Sequence, residues 1–409
     1  MQMKVSGAAL ESPMVQRPRL FEKCQSFTRA EQLKSAGLYP YFRTLSSGQG
    51  PEVVHRGKRL IMMGSNNYLG FSTHPAVREA AKRAVDRYGT GCSGSRLLNG
   101  TLDLHQQLEE KLAEYLGKEA AVVWPTGFQA NLGIVGALTG RNDLVVIDKM
   151  DHASIYDGTR LSFATTRKFG HNNLAELESI LSKHRGVSAF VVVDGVYSME
   201  GDLVDLPGLV DICSRYGAAL AVDDAHGLGV LGRDGRGTAH HFGLEGQVDI
   251  LGGTFSKSLG SVGGYAAGDA DVINYLKHHA RSLMFSASLP PASTAAALAA
   301  LELLEREPEH IERLWVNTRH FQEGVDALGF ETGKQQSPIV PIRVGDEQLT
   351  LSVCNRLFEE GVFTSPILYP AVPAGMAMIR TSCMATHTAE HMERALDAFE
   401  RVGREAGLI

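Results

Sequence analysis

Apolar strand-like segments alternate with amphipathic helical segments over the middle of the chain. The clearest apolar segments are "AAVVWP", "LVVIDK", "SAFVVVDGVYS", "ALAVDDA" and "VDILGGTF". Segments with apolar residues at helical spacing separate most of them. Because continuous apolar strands separated by helices are typical of a buried parallel sheet, the sequence predicts an α/β fold with a mostly parallel sheet covered by helices.

This alternation ends after a predicted long helix, "ASTAAALAALELLERE", where a smaller α+β region begins. We therefore expect an N-terminal segment (residues 1–57), a large catalytic domain (58–300) and a C-terminal small domain (301–409). The N-terminal segment is expected to have a loose start up to Leu20, a helix in "RLFEKCQSFTRAEQLKSAG" and the first strand of a hairpin. The hairpin turn is predicted at Gly57 and Lys58.

Composition excludes several classes of partner. Of 409 residues, 44% are hydrophobic and 21% are charged, as in globular proteins, and the net charge of −6 comes without a block of like charges. We expect no nucleic acid and no anionic membrane as partner. The N-terminus lacks the apolar core of a signal peptide, and no stretch is apolar enough to span a membrane, which favours a cytoplasmic location. The five cysteines are scattered singly, so we expect neither a metal site nor disulfides.

Lys257 is the first candidate for chemistry. It lies in "GGTFSKSLGSVGG", after a predicted strand and among glycines and hydroxyl residues. A solvated loop lysine is the ordinary interpretation. Small neighbours, however, let a planar group approach the backbone, and a partly desolvated lysine has the lowered pKa that Schiff-base chemistry requires. The pattern favours pyridoxal phosphate as the ligand.

Such a cofactor needs a carboxylate to keep its ring nitrogen protonated. Asp223 and His226 follow the predicted strand "ALAVDDAHG", at the edge where open α/β sheets bind ligands. By itself, Asp223 is also typical of a helix cap or turn. The presence of Lys257 on a nearby segment favours the functional interpretation.

Two further segments supply candidate cofactor contacts. In "PTGFQAN", Thr126, Gly127 and Phe128 stand at a predicted helix N-terminus, where free backbone N–H groups bind phosphate. In "DKMDHASIYDG", His152 follows a strand and offers a ring that can stack on a cofactor. Each motif alone is weak, and His152 alone is also typical of an ordinary loop.

The segment "YGTGCSGSRLLNGT" fits the dinucleotide pattern G-x-G-x-x-G at Gly89, Gly91 and Gly94. That pattern requires a preceding strand and a helix that opens at the third glycine. Here a predicted helix ends at Gly89, and the next begins near Thr101. The segment therefore does not predict a dinucleotide site.

The sequence resembles the α-oxoamine synthases, a family of fold-type I pyridoxal phosphate enzymes, from about Gly37 to the last helix. The segments that carry the resemblance are "GSNNYLGFSTHP", "GTGCSGSRLLNGT", "TGFQAN", "DHASIYDG", "GVYSMEGD", "VDDAHGLGVLG", "GTFSKSLGSVGG", "FSASLPP" and "IRTSCMATHT". The resemblance implies a fold-type I PLP-dependent transferase that works as a homodimer with shared active sites.

The resemblance also implies a role for each matching residue. Lys257 binds the cofactor covalently, Asp223 pairs with the ring nitrogen, His226 bonds the ring hydroxyl and His152 stacks on the ring. The phosphate is held by Gly127, Phe128, Thr254 and Ser256, together with Ser286 of the other chain, and Ser198 lies near the cofactor. The amino-acid carboxylate is received by Asn66, or by its neighbour Asn67, and by Arg380. Asp194 stands where many relatives have Glu, and its role is open.

The implied reaction condenses a small amino acid with an acyl thioester and releases CO2. Ser95 occupies a position where 5-aminolevulinate synthases carry threonine, which argues against that activity and makes Ser95 a candidate substrate contact. The motifs look most like bacterial serine palmitoyltransferases, which favours L-serine and palmitoyl-CoA giving 3-ketodihydrosphingosine. Alternatives are glycine or alanine as substrate (2-amino-3-ketobutyrate ligase, 8-amino-7-oxononanoate synthase), an acyl carrier protein as donor, an aminotransferase and a non-catalytic relative.

Overall fold

The computed structural model describes residues 18–232, 234–334 and 336–409, so most of the predicted loose start lies outside the described residues. The chain divides into two compact units, Met1–Tyr41 and Phe42–Ile409. In the first unit a 3-10 turn (Arg19–Phe21) precedes helices α1 (Glu22–Gln25) and α2 (Arg29–Ser35). The single helix predicted there is wrong, because it is interrupted after Gln25. Ser26 at the break donates its hydroxyl to the Lys23 carbonyl at 3.2 Å, a local bond that competes with helix continuation.

The second unit contains all the strands of the described residues. They are β1 (Glu52–His55), β2 (Lys58–Met62), β3 (Ala120–Trp124), β4 (Leu144–Asp148), β5 (Thr165–Phe169), β6 (Ala189–Asp194), β7 (Ala219–Asp223), β8 (Ile250–Thr254), β9 (Gly264–Gly268), β10 (Ile339–Gly345), β11 (Val362–Phe363), β12 (Ser365–Ile367) and β13 (Ala377–Ser382).

Helices connect and cover these strands. They are α3 (Pro75–Tyr88), α4 (Asp103–Leu116), α5 (Gly127–Leu138), α6 (Ala153–Leu161), α7 (Leu174–Lys183), α8 (Leu206–Tyr216), α9 (Thr238–Phe242), α10 (Ala270–His279), α11 (Arg281–Met284), α12 (Pro291–Arg306), α13 (Glu309–Leu328), α14 (Glu347–Glu359) and α15 (Ala389–Ala406). Short 3-10 turns occur at Phe71–Thr73 and Glu245–Gln247. None of the helices in the described ranges is long and apolar enough to cross a membrane.

The central sheet has seven strands in the order β3-β9-β8-β7-β6-β4-β5. Strands β8, β7, β6, β4 and β5 run parallel, and β9 is antiparallel to both of its neighbours, β3 and β8. The predicted α/β fold with a mostly parallel sheet is thereby confirmed. Strand β9 was not predicted, because "GYAAG" lacks the branched apolar residues that mark buried strands.

Both faces of the sheet are buried, as continuous apolar strands require. In β4, Val145 and Ile147 belong to a cluster with Ile134 of α5 and Ile155 of α6. Their neighbours Leu144 and Val146 belong to the larger cluster on the other face, which includes residues of α4, α7, α8 and α12. Helices therefore cover the strands on both sides, and the polar groups needed for chemistry collect at the strand ends.

The N-terminal hairpin has the predicted strands but a different turn. His55 pairs with Lys58, so the two turn residues are Arg56 and Gly57 rather than Gly57 and Lys58. Both have positive φ, 48° and 82°, the combination found in tight type I′ hairpins. The prediction placed the turn one residue too late because it assumed that glycine takes the first position.

Two smaller three-stranded sheets accompany the central one. In the order β1-β2-β11, the N-terminal hairpin pairs with a strand that follows α14, and Ile61 lies opposite Val362. The other sheet has the order β10-β13-β12 and is antiparallel throughout. The predicted domain boundaries at residues 57 and 300 stay a prediction.

Candidate active site

Four neighbouring strands of the central sheet end in polar residues. Asp148, Asp194, Asp223 and Thr254 are the last residues of β4, β6, β7 and β8. Because these strands are parallel, their carboxyl ends meet at one edge of the sheet, where α/β proteins bind ligands. A cavity of about 260 Å³ lies at this edge.

Most of the predicted site residues line this cavity together. They are Thr126, Gly127, Phe128, His152, Ser198, Asp223, His226, Thr254, Ser256 and Lys257. The same cavity is also lined by Asn131, Ser154 and Asp194. Asn66, Ser95, Ser286 and Arg380 are not among its lining residues.

Lys257 lies in the loop that joins β8 to β9. The loop is closed at its base, because the Phe255 N–H donates to the Gly263 carbonyl at 3.0 Å and Thr254 pairs with Gly264. Desolvation lowers the pKa of the Lys257 amine, while the nearby charges of Asp223 and Asp194 act in the opposite direction. A lowered pKa increases the fraction of free amine, which is the nucleophilic form.

Asp194 holds the main chain of the loop before α6. Its Oδ2 accepts the His152 backbone N–H at 3.0 Å. The side chain of Asp151 accepts the backbone N–H groups of Asp194 and Asp148 at 2.9 and 2.8 Å. Burial raises the pKa values of both Asp151 and Asp194 well above the usual range, and their neighbouring carboxylates add to the effect. The residue whose role was open therefore fixes the position of His152.

A chain of hydrogen bonds joins Asp223 to His152. The amide nitrogen Nδ2 of Asn131 is 2.6 Å from Asp223 Oδ2 and 2.8 Å from Ser154 Oγ. The Ser154 hydroxyl is in turn 2.7 Å from Nδ1 of His152. The other carboxylate oxygen of Asp223 accepts the Ala225 N–H at 3.1 Å. Asn131, Ser154 and Asp223 are all buried.

The N-terminus of α5 forms the predicted phosphate end of the cavity. Thr126 caps the helix, because its hydroxyl accepts the Gln129 N–H at 3.1 Å. A Cβ added to Gly127 would lie 2.7 Å from Thr254 Cβ, so only glycine lets this helix end approach β8 so closely. The hydroxyls of Thr254 and Ser256 are 2.9 Å apart beside it. Backbone N–H groups and hydroxyls thus converge on one end of the cavity, as phosphate binding requires.

Arg380 approaches the site from β13. Its guanidinium donates to the Ser198 carbonyl at 2.6 Å and to Asn66 Oδ1 at 3.0 Å. Asn67 faces elsewhere, because its amide group bonds the Gln49 carbonyl and the Ser72 hydroxyl, both at 2.8 Å. Of the two asparagines, only Asn66 therefore contacts Arg380 in the described residues.

Tyr68 links Arg380 to the cavity. Its hydroxyl is 2.7 Å from Nδ1 of His226 and 3.5 Å from Nη2 of Arg380. Burial lowers the pKa of His226 well below its usual value, and the charges of Lys257 and Arg380 lower it further. His226 is therefore a neutral imidazole at physiological pH.

Ser95 and Ser286 lie outside the cavity of their own chain. The Ser95 hydroxyl is buried without a hydrogen-bond partner in the described residues. Its neighbour Arg96 forms a buried ion pair with Glu109 at 2.7 Å, which anchors this loop to α4. Ser286 Oγ accepts a hydrogen bond from Gln129 Nε2 at 3.0 Å. The structure does not bring these two serines to the residues around Lys257.

Sequence reasoning missed three polar residues of the site. Asn131 and Ser154 stand inside the segments "TGFQAN" and "DHASIYDG", and Tyr68 stands inside "GSNNYLG". The only available signal was that each lies next to a predicted contact. Their roles depend on partners that are distant in the chain, such as Asp223, which lies 92 positions from Asn131.

Comparison with known proteins agrees with this geometry. A model of the aminotransferase class I and II family matches residues 58–399. A serine palmitoyltransferase from Sphingobacterium spiritivorum is 52% identical over 389 residues, which cover 95% of this chain and 98% of that protein. An 8-amino-7-oxononanoate synthase from Symbiobacterium thermophilum is 45% identical and covers 92% of this chain and 97% of its own length.

A solved structure gives the same result. Serine palmitoyltransferase from S. paucimobilis, determined as a variant with a bound PLP-myriocin aldimine, superposes with a TM-score of 0.93. It is 35% identical, and the match covers 96% of this chain and all of that chain (100%). The chain belongs to the α-oxoamine synthases of the aminotransferase class I and II family.

This α-oxoamine synthase is a PLP-dependent acyltransferase, and its cavity fits the cofactor. The buried carboxylate of Asp223, the amine of Lys257 and the phosphate end at Gly127 face one cavity. The close approach at Gly127, which any Cβ would block, gives the cradle its shape. An amine, a buried carboxylate and a helix N-terminus, the types of group that pyridoxal phosphate requires, therefore stand around one cavity.

His171, which bonds the aspartate at the end of β4, predicts a pH-dependent stability of the fold. Burial by itself lowers the pKa of His171, but hydrogen bonds to Asp148 (3.2 Å) and Asp202 (2.7 Å) raise it to about 9. Because the folded value exceeds the unfolded value of about 6.5, the stabilisation is fully present below about pH 6.5 and is lost as the pH rises through about 9. We expect His171→Gln to remove up to about 3 kcal/mol of unfolding free energy at low pH and little at pH 10.

Unfolding by denaturant between pH 6 and pH 10 measures this difference. The exposed residue His278 on α10 offers a matched control, and His278→Gln should follow the wild type at every pH. An equal loss of stability in His171→Gln at all pH values would show that the ion pairs do not carry it.

Proposed function

We propose that the enzyme condenses L-serine with palmitoyl-CoA and releases CO2 and CoA, giving 3-ketodihydrosphingosine. The observation that carries the proposal is the 52% identity to a serine palmitoyltransferase over 98% of that protein's length. The close superposition on a second serine palmitoyltransferase supports it. The polar residues of the site supply each group that the reaction needs.

When bound, pyridoxal phosphate supplies an electron sink that stabilises negative charge at the α-carbon of the amino acid. Lys257 is the residue that holds the cofactor and, once its amine is free, accepts the α-proton. Its desolvated surroundings favour the unprotonated amine that both tasks require. Asp223, held by Asn131 and the Ala225 N–H, would supply the carboxylate that keeps the cofactor's ring nitrogen protonated.

Arg380 and Asn66 are proposed to receive the carboxylate of the amino acid. A guanidinium binds a carboxylate with two parallel hydrogen bonds, and Arg380 is fixed by the Ser198 carbonyl and by Ser382 at 3.0 Å. Asn66 lies beside it and completes the polar end of the site. His152 and His226 then flank the cofactor position from the ends of β4 and β7.

Space for an acyl donor lies next to the cofactor cavity. A second cavity of about 590 Å³ shares His152 and Ser198 with the first. Its walls include apolar side chains and two lysines, among them Met150, Tyr156, Met199, Lys149 and Lys168. Apolar walls suit an acyl chain, which supports a donor larger than the amino acid. The two lysines share the lining with four carboxylate residues and do not by themselves mark a phosphate site.

A second candidate is an 8-amino-7-oxononanoate synthase, because relatives with that name are 42–45% identical over nearly the same length. The two functions differ in the amino acid and in the acyl group that the enzyme condenses.

We also propose a cytoplasmic location for the enzyme.

The substrate choice is tested by a matrix of serine, alanine and glycine against acyl-CoA chain lengths, with thiol release as the readout. We expect the highest kcat/KM for serine with palmitoyl-CoA, and CO2 release only when both substrates are present. A preference for alanine or glycine, or for short acyl groups, would overturn the assignment. Amino-group transfer without CO2 or free thiol would indicate an aminotransferase instead.

Asn66 and Asn67 should differ in their variants. Asn66→Ala removes a proposed substrate contact, so we expect a KM for serine about tenfold higher with little change in stability. Asn67→Ala removes the three side-chain hydrogen bonds of a buried residue, so we expect the melting temperature to fall while the KM for serine is retained. Steady-state kinetics and thermal unfolding of both proteins check this; the reverse result would assign the carboxylate contact to Asn67.

We also propose that the enzyme is a homodimer in which the partner chain contributes Ser286 to the phosphate. Exposed apolar side chains on and near the Ser95 loop support an interface: Leu97, Leu98 and Phe285 are 45%, 80% and 72% exposed. The two segments are joined, because the Ser288 N–H donates to the Gly94 carbonyl at 2.9 Å. Sedimentation of active enzyme should show a dimer, and a fully active monomer would contradict the proposal.

A further inference from the structure

The hydrogen bonds around His152 leave it only one tautomer. Nδ1 of His152 caps α6 and accepts the backbone N–H of Ser154 at 3.3 Å. An acceptor nitrogen carries no proton, so the ring proton must be on Nε2. This bond is long, however, and by itself holds the tautomer weakly.

The side chain of Ser154 reinforces the same choice, because its proton is assigned by its neighbours. A carboxylate oxygen only accepts, so the Asn131 group that faces Asp223 Oδ2 at 2.6 Å is the NH2 group. Its second hydrogen points to Ser154 Oγ at 2.8 Å, which therefore accepts. The Ser154 hydroxyl then donates its own hydrogen to His152 Nδ1 at 2.7 Å. The carboxylate fixes only the Asn131 end of the chain, because a hydroxyl oxygen can accept two hydrogen bonds. The Ser154 hydroxyl donates to Nδ1 because Nδ1 is the only acceptor that it contacts in the described residues and already accepts the Ser154 N–H.

We propose that Asn131 and Ser154 are positioning residues that fix His152 as its Nε2–H tautomer and couple that choice to the carboxylate of Asp223. The inference rests on the proposed function, since it assigns these two residues to the site of that reaction. It differs from the role of Asp194, which holds the main chain of His152 rather than its ring.

The tautomer matters because His152 is neutral. Desolvation lowers the pKa of its imidazole, and the charge of Asp223 acts against this while that of Lys257 adds to it. A neutral imidazole has one donor and one acceptor, so fixing the acceptor fixes the donor. Nε2–H has no hydrogen-bond partner among the described residues, which leaves it available to a bound substrate or cofactor.

The buried positions favour a rigid arrangement. Ser154 is 1% exposed and Asn131 is 5% exposed, so water does not compete for the bond between these two side chains, whereas the His152 ring is open to the cavity. Removing Ser154 Oγ leaves only the long backbone bond to Nδ1. Removing the Asn131 amide takes away the donor that orients the Ser154 hydroxyl. The hydroxyl can then turn and accept from Nδ1–H, which allows the other tautomer. We therefore expect both removals to allow a mixture of the two His152 tautomers, each through the loss of a different hydrogen bond.

The test is ¹⁵N NMR of ring-labelled histidine in the full-length protein, which reports the protonated nitrogen directly. The His152 signal is identified among the 15 histidines by its absence in His152→Gln. We expect Nε2–H alone in the wild type, and a mixture of both tautomers in Ser154→Ala and in Asn131→Ala. Both variants should also lose about tenfold in kcat/KM, less than the roughly hundredfold that losing a positioned proton donor costs, because the histidine itself is retained.

Ser162→Ala is the matched control. Ser162 is the C-cap of α6, the helix whose first turn contains Ser154, and its buried hydroxyl bonds the Thr139 hydroxyl at 2.7 Å, away from the cavity. Ser162→Ala should lower the free energy of unfolding by an amount similar to that of Ser154→Ala, and it should leave the His152 spectrum and kcat/KM unchanged. In the double variant Asn131→Ala/Ser154→Ala, the loss in kcat/KM should equal that of the larger single variant rather than the product of both, because the residues act in series.

Wild-type protein with Nδ1–H, or variants that keep pure Nε2–H, would overturn the inference. Because the spectrum is recorded without turnover, it also separates this inference from the proposed function. Wild-type protein that shows pure Nε2–H but releases no thiol from palmitoyl-CoA would overturn the function and leave the tautomer assignment standing. Thiol release from palmitoyl-CoA together with pure Nε2–H in both variants would overturn the tautomer inference and leave the proposed function standing.

Discussion

Two aspartates end neighbouring strands in register, and the site depends on how their repulsion is offset. Asp194 of β6 lies directly opposite Asp223 of β7 in the parallel pairing. Two carboxyl groups so close and so buried would destabilise the sheet edge unless hydrogen bonds or opposite charges compensated them. Asp223 is compensated by Asn131, the Ala225 N–H and the charge of Lys257, and Asp194 by the His152 N–H.

The same compensation places the catalytic groups. The donors that neutralise the two carboxylates come from the loop before α6, from α5 and from the loop after β8, so each of these segments is drawn to one edge of the sheet. Strand register is decisive here, because a shift by one residue turns every side chain of a strand to the other face. The chemistry of the site thus depends on packing along β6 and β7, far from any substrate.

Much of this site could be predicted from local sequence. Lys257, Asp223 and Gly127 each lie where an apolar strand gives way to glycines or a helix start, and such patterns need only a few neighbouring residues. Tyr68, Asn131 and Ser154 could not be found in this way, because their partners lie elsewhere in the chain and nothing in their own segments marks them. The fold showed the same limit: the buried parallel strands were clear from their apolar runs, whereas β9, which is glycine and alanine except for Tyr265, and the turn at Arg56 were not.

The hairpin between β8 and β9 has a consequence for turnover. Its ends are held by the Phe255–Gly263 bond and by strand pairing on both sides, so the backbone of Lys257 is fixed while its amine is bound or free. The amine can then change between its bound and free forms by rotation about the side-chain bonds of Lys257 alone. The conformational-entropy cost of ordering that side chain is about 2 kcal/mol at most. The lysine therefore returns to the same place after each cycle without rearrangement of the loop that carries it.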